Sequence, residues 1–298
     1  MHRSNRRGGL PARLSQLLIG AVLTCNLLAF YGASGEEARR PIDGIMDNSF
    51  FIEEAYNQEA GIVQHIFNGL YSVDSLSHPN QRRTDLSFTQ EWPAYGQAHQ
   101  LSYTVFYSVV RNDGRWSDGF GDVLLNYRYQ AYLDEKTLTG ISPRFSLVLP
   151  TGDVHRALGN GTLGYQWNLP FSTTFGDRWF VHANAGLAFL PRAGEEPTHD
   201  FLNYALGASV IYCVNDRFNL MLEWVGTWNQ GVNDAGHVER QFPSVISPGF
   251  RTAFNFKNGS QMVVGLAVPV GVTREAPDIG AFLYFSFEHR MFGKAESQ

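Results

Sequence analysis

The chain has 298 residues with a formal net charge of −5, of which 17% are charged, 14% aromatic and 44% hydrophobic; ordinary soluble domains carry roughly 25% charged residues. An anionic chain is poorly suited to bind nucleic acid, so that class of partner is excluded. Its two cysteines, Cys25 and Cys213, exclude a disulfide framework as the source of stability.

From the N-terminus, Arg3, Arg6, Arg7 and Arg13 precede an apolar run at residues 17–30, "LLIGAVLTCNLLAF", and small residues follow in "YGASG". This is the pattern of a secretory signal peptide over 1–35, with cleavage near Ser34 or Gly35. The run is interrupted by Thr24 and Asn26, and it falls short of the roughly 20 residues a spanning helix needs. Thr24 before Cys25 is larger than the Gly, Ala or Ser expected at a lipidation site, which argues against a lipoprotein. Losing four arginines and no acid takes the net charge from −5 to about −9 and leaves Cys213 alone, expected as a buried thiol.

Residues 36–60 are expected to form an N-terminal plug or periplasmic segment. Within it, "DNSFFIEEAYNQEAG" at 47–61 carries Glu53, Glu54 and Glu59. Asn48 or Ser49 is positioned to cap a short helix, with Glu53 and Glu54 near its positive end and Phe51, Ile52, Ala55 and Tyr56 along one stripe. Three glutamates without a histidine, cysteine or partner base are a weak catalytic or metal set. Glu53, Glu54, Tyr56 and Glu59 are instead candidates for a plug or gate, provided the glutamates meet arginines such as Arg128 or Arg144.

Beyond residue 60 the recurring period is two. In 121–132, Val123, Leu125, Tyr127, Tyr129 and Ala131 share one face, and Asp122, Leu124, Asn126, Arg128 and Gln130 the other. Twelve such strands are predicted near 61–71, 82–92, 97–109, 119–133, 138–150, 160–172, 178–190, 200–213, 216–229, 243–256, 260–270 and 279–290; the first alternates least cleanly, which leaves its lipid-facing side open. They exceed the 5–6 residues usual in soluble proteins and suit the 9–11 that cross a bilayer. Connections after odd-numbered strands are long and those after even-numbered strands are tight, as in a barrel with both termini in the periplasm. A soluble sandwich is the alternative. Against it stand strand length, loop alternation and a polar face of Gly, Ala, Ser, Asn and Gln. Trp92, Tyr132, Phe171, Trp179, Tyr212, Phe218, Phe254 and Phe256 fall at the predicted periplasmic strand ends, where an aromatic girdle belongs. The expected fold is therefore all-β, a transmembrane antiparallel up-and-down β-barrel of about 12 strands over 61–290 in the bacterial outer membrane, followed by a tail at 291–298.

Three stretches, "SPRFSLVLPTGD" (142–153), "SPGFRTAFNFKNGSQMVVGLAVPVG" (247–271) and "GAFLYFSFEH" (280–289), resemble the outer-membrane transporter family named for a phenol meta-cleavage degradation pathway. The resemblance runs through the barrel, roughly 60–290, and implies a channel or transporter without naming its solute. The ending "MFGKAESQ" departs from the terminal aromatic residue common in such barrels, leaving Phe287 or Phe292 as an internal assembly signal.

Parity directs Glu91, Asp122, Arg128, Arg144, Glu223 and Arg251 to the lumen, with Gln166, Asn168, His182, Asn203 and Asn255. Such charges select solutes by sign, or they pair across a narrow bore because an unpaired buried charge is costly. His65 and Asn68 resemble part of the His-x-Ser-Asn stretch of lipid-hydrolysing barrels. Phe67, however, stands where a nucleophilic oxygen is needed. No zinc spacing, phosphate loop or dinucleotide fingerprint occurs, so no cofactor and no metal is expected. His155, Glu195, Glu196, His199, Asp234 and His237 read as solvated loop charge, with surface cation binding as the alternative. The expected function is passive or facilitated uptake of a small, hydrophobic or aromatic solute. The expected partners are outer-membrane lipids and lipopolysaccharide, the barrel assembly machinery and the small-molecule solute. The alternatives are a lipid-active barrel enzyme and a closed structural or adhesive barrel acting through its loops.

Overall fold

The computed structural model describes residue 45 and residues 49–74, 81–112, 115–195, 198–233 and 236–291. The signal peptide, Asn48, Glu196, Asp234 and the tail from 292, including Phe292, lie outside the described residues.

Seventeen strand segments build the twelve staves of one closed antiparallel barrel. Eight staves are single strands: β1 (Ile62–Asp74), β2 (Gln81–Pro93), β3 (His99–Asn112), β9 (Gly164–Phe175), β10 (Trp179–Ala193), β11 (His199–Asn215), β12 (Phe218–Val232) and β17 (Ile279–Arg290). The fourth stave is β4 (Arg115–Phe120), β5 (Val123–Tyr129) and β6 (Tyr132–Asp134); the fifth is β7 (Thr139–Ile141) and β8 (Arg144–Leu149). The tenth is β13 (Val238–Gln241) and β14 (Ser244–Asn255), and the eleventh is β15 (Gln261–Ala267) and β16 (Val270–Gly271). Closure comes from β1 and β17, which pair residue for residue from Ile62↔Arg290 to Val73↔Ile279. It satisfies the backbone polar groups that a bilayer cannot.

Three of the stave breaks fall at prolines, which lack the N–H a ladder needs. Their carbonyls still accept across the sheet: Pro143 from Tyr129, Pro243 from Thr227 and Pro269 from Gly280. The break between β4 and β5 in the fourth stave has a different cause. The Asp122 carboxylate accepts from the backbone N–H of Gly152 and of Asn160, at 2.9 and 2.7 Å, and so draws the loop at 150–161 against the barrel. Gly121 and Gly152 allow the approach, since a Cβ at Gly152 would lie 2.3 Å from the Leu158 carbonyl.

Side-chain direction follows the alternation. Leu222 and Leu283 on the outer face are 52% and 51% exposed, whereas Ser146, Ser172, His182, Ser209, Glu223, Ser247 and Arg251 on the inner face are buried. In β1 the even-numbered residues Gln64, Ile66 and Ser72 are buried, while Phe67 and Tyr71 are exposed, which settles the face that the sequence leaves open. Exposed Tyr132, Phe171, Trp179, Phe254 and Phe256 fit a girdle. Trp92 differs: it is buried and meets Tyr103 edge-on, with ring centroids 6.1 Å apart.

Two further sequence expectations are corrected. Several long connections are hairpin extensions rather than loops: Asn112 pairs with Arg115, Ala193 with His199 and Val232 with Val238. Strands that rise above the bilayer are polar on both faces, so composition there mimics a loop. The second correction concerns the short helix after Ser49, because no α-helix occurs among the described residues. Residues 49–61 run without regular structure inside the barrel, where wall side chains occupy backbone groups a helix would use for itself. Wall glycines make their sockets: a Cβ at Gly207 would lie 2.3 Å from Ile52 Cδ1, and one at Gly249 2.5 Å from Phe50 Cε2.

An outward arginine at Leu222 is expected to cost about 2–4 kcal/mol in a bilayer, whereas Gln166→Arg on the inner face costs about 0.5 kcal/mol or less. Urea unfolding in lipid vesicles measures both; equal penalties would reject the facing assignment.

Candidate functional site in the barrel lumen

The inner segment is held by side chains reaching in from around the wall. Glu223 on β12 accepts three successive backbone N–H groups through one oxygen, from Phe50 at 3.0 Å, Phe51 at 3.1 Å and Ile52 at 3.2 Å. Asn184 on β10 treats Glu53 as a neighbouring strand would: its Oδ1 accepts from the Glu53 N–H at 2.8 Å and its Nδ2 donates to the Glu53 carbonyl at 2.6 Å. Ser172 on β9 accepts from the Ala55 N–H at 2.8 Å, and Ser142 donates to the Ala55 carbonyl at 2.7 Å. Gln100 on β3 accepts from the Gln58 N–H at 2.8 Å. These bonds replace the ladder that a segment inside a barrel cannot make with itself.

At the centre lies the Glu53 carboxylate. Arg144 Nε on β8 donates to it at 2.9 Å, Asn168 Nδ2 on β9 at 2.7 Å and Arg128 Nη1 on β5 at 3.2 Å. Arg128 also donates to the Glu54 carbonyl, the Tyr56 carbonyl, the Asn57 amide oxygen and the Gln100 amide oxygen. Its side chain is 3% exposed, and four of these five acceptors belong to the segment. Arg144 is 20% exposed and turns its Nη1 to Asn126 and Ser146 on the wall. Desolvation by burial pushes the Glu53 carboxyl up, but Arg144, Arg128 and the Asn168 amide together outweigh it, so the group is held below its ordinary value of 4.5.

The remaining sequence candidates fall into distinct surroundings. Of the segment's other residues, buried Glu54 shares a small space with Tyr56, His182 and Arg251. The Tyr56 hydroxyl donates to the Leu138 carbonyl at 2.6 Å, and the Glu59 carbonyl accepts from the Ile62 N–H at 3.0 Å. Glu59 thus stands just before the start of β1. Glu91 accepts from Gln100 at 2.8 Å, and His182 Nδ1 lies 2.7 Å from the Ser172 hydroxyl. Asp122 holds the 150–161 loop, and Asn255 is exposed, accepting from Gln261. On the surface, exposed His155 and Glu195 meet at 3.0 Å, and no cluster of three or more potential ligands suited to a metal occurs among the described residues.

Two clefts flank the segment. The larger, about 330 Å³, reaches Gln166, Asn168, Asn203 and Thr227; the smaller, about 180 Å³, reaches Asn68, Glu91, Ser102 and Asn126. Both are floored by Phe51 and Ile52, and both touch Arg144. Sequence reasoning isolated the charged members of this site but not Gln100, Ser142, Ser172 or Asn184. Alternation offers a signal for these neutral residues, since it puts them on the inner face, but it does not say what they meet.

No protein-family model matches the chain, and no curated protein matches it in sequence. Among solved structures, a COG4313 outer membrane channel from Pseudomonas putida F1 superposes with a TM-score of 0.62 at 14% identity, over 79% of this chain and 97% of that one. The beta domain of the Bordetella autotransporter BrkA superposes at 0.48 with 12% identity, over 78% and 100%. The NanC porin does so at 0.45 with 11% identity, over 75% and 98%. The first of these likenesses shows that the chain has the fold of an outer-membrane barrel.

Glu53→Gln is expected to weaken the segment's attachment by about 1.5–3 kcal/mol, the worth of charge-assisted hydrogen bonds. It is read as faster hydrogen–deuterium exchange at the amides of residues 50–58. Because the folded carboxyl is lowered, the contribution is fully present above its ordinary value of 4.5 and is lost as pH falls through the lowered value. The difference between variant and parent therefore persists at neutral pH and closes in acid; a difference that grows with acidification would contradict the assignment.

Proposed function

We propose that the protein is an outer-membrane channel for passive or facilitated uptake of a small solute, and that residues 49–59 are its plug and gate. The observation that carries this reading is the inner segment, which crosses the lumen on bonds to wall side chains while a cleft stays open on either side of it. Net hydrogen-bond contributions are about 0.5–1.5 kcal/mol each, because water replaces them on release. A plug held mainly by polar bonds can therefore be displaced without unfolding the barrel. Lumen-facing Glu91, Arg128, Arg144, Gln166, His182, Glu223 and Arg251 would set the polarity of the path, with Asp122 anchoring the loop beside it. Superposition on a channel supports this reading, and the resemblance to the phenol-pathway family supports an apolar or aromatic solute. In this setting the partners are lipids and lipopolysaccharide outside, the solute inside and the assembly machinery during insertion.

The reading involves no bond chemistry. His65 and Asn68 lie on opposite faces of β1: His65 stacks on His289 with ring centroids 5.4 Å apart, while Asn68 lines the smaller cleft. They cannot serve one lumenal centre.

Removing residues 36–60 is expected to raise single-channel conductance in planar bilayers and to accelerate solute-driven liposome swelling. Glu223→Ala, which releases three backbone amides, is expected to give an intermediate increase in open probability. If correctly folded intact and truncated proteins both pass neither ions nor small solutes, the channel reading fails.

A further inference from the structure

The two arginines on Glu53 differ in what else they hold. Arg128 is committed to the plug through bonds to Glu54, Tyr56 and Asn57 besides Glu53. Arg144 touches the plug only at the Glu53 carboxylate, and its Nη2 forms no hydrogen bond among the described residues. Arg144 also lines both clefts, and it is the one charged side chain among the described residues lining the larger one. That cleft is otherwise walled by neutral groups such as Gln166, Asn203, Thr227 and Asn229, and floored by Phe51 and Ile52. Its volume of about 330 Å³ lies at the small end of ligand sites.

We infer that the larger cleft is a binding site for the carboxylate of a small amphiphilic solute, and that Glu53 is the chain's own occupant of the guanidinium that receives it. This deepens the channel reading above and rests on it. An incoming carboxylate meets the unused Nη2 of Arg144 and its apolar body lies over Phe51 and Ile52. Guanidinium presents parallel N–H donors to a carboxylate, so the geometry favours this anion over a neutral amide of the same shape. Once Arg144 is engaged by the solute, Glu53 keeps Arg128 and Asn168 but loses its Nε bond, which loosens the plug at its centre. The solute thereby promotes its own passage. A cation of similar size gains nothing in a cleft whose one charged lining side chain, among the described residues, is positive.

The test uses full-length protein with benzoate as the carboxylate probe and benzamide as its neutral counterpart. Isothermal titration of the detergent-solubilised barrel reads the site, and uptake into proteoliposomes reads the channel. Saturable benzoate binding is expected, at least about tenfold tighter than benzamide, the difference made by one charge-assisted hydrogen bond. In the titration, Arg144→Gln is expected to abolish that preference, and Arg144→Lys to retain part of it. Glu53→Gln, which vacates the guanidinium, is expected to tighten benzoate. Equal binding of the two probes, or a preference that survives Arg144→Gln in a heat-modifiable and therefore folded barrel, overturns the site and leaves the channel standing. Benzoate binding that depends on Arg144, with no uptake of either probe by any variant, supports the site and overturns the channel.

Discussion

An arginine whose side chain is 3% exposed inside a barrel is tolerable only if its donors are satisfied, and among the described residues no wall carboxylate is bonded to Arg128. It is satisfied almost wholly by the segment that precedes β1: the Glu53 carboxylate, two carbonyls and one amide oxygen. Removing the Glu53 carboxylate forfeits charge-assisted bonds worth about 1.5–3 kcal/mol, because Arg128 then keeps only neutral acceptors. This requirement fixes the path of the segment. With Glu53 between Arg128 and Arg144, Phe50 to Ile52 fall within reach of Glu223, and Ala55 falls between Ser142 and Ser172.

The surrounding wall is shaped to the same end. Small residues on the inner face leave room for a chain to lie across the bore, and Gly207, Gly249 and Gly265 open sockets for Ile52 and Phe50. Phe50 then packs against Phe282 and Tyr284, with ring centroids 5.2 and 6.0 Å away. The buried cluster of Phe50, Ile66, Ile211, Met221, Ala253, Val263 and Phe282 is thus an apolar core shared by plug and wall. Polar bonds set the segment's register, and these few apolar contacts keep water from competing equally for every bond. The segment is consequently ordered yet joined to the barrel by interactions that solvent and solutes can replace. A gate needs that combination, whereas a permanent structural strand would be paired along its whole length.

Period-two alternation, strand length and the alternation of long and tight connections determined the barrel from the sequence alone, because a side chain in a strand has two directions and a bilayer admits apolar groups on one side only. The inward direction of Arg128, Arg144, Glu223 and Arg251 follows from that parity, as does their separation from the lipid-facing leucines. Tertiary structure alone decided which of these charges meet. Arg128 and Arg144 sit opposite each other across β5 and β8, yet the anion that joins them comes from Glu53, ninety-one residues before Arg144. The same holds for the segment's conformation: locally its sequence suits a capped helix, but in the lumen its amides bond to Glu223, Asn184, Ser172 and Gln100. Local pattern specifies direction, since direction is a property of each residue's own backbone. Pairing is specified only when closure of β1 on β17 brings distant staves to a common interior, and no period in the chain encodes that distance.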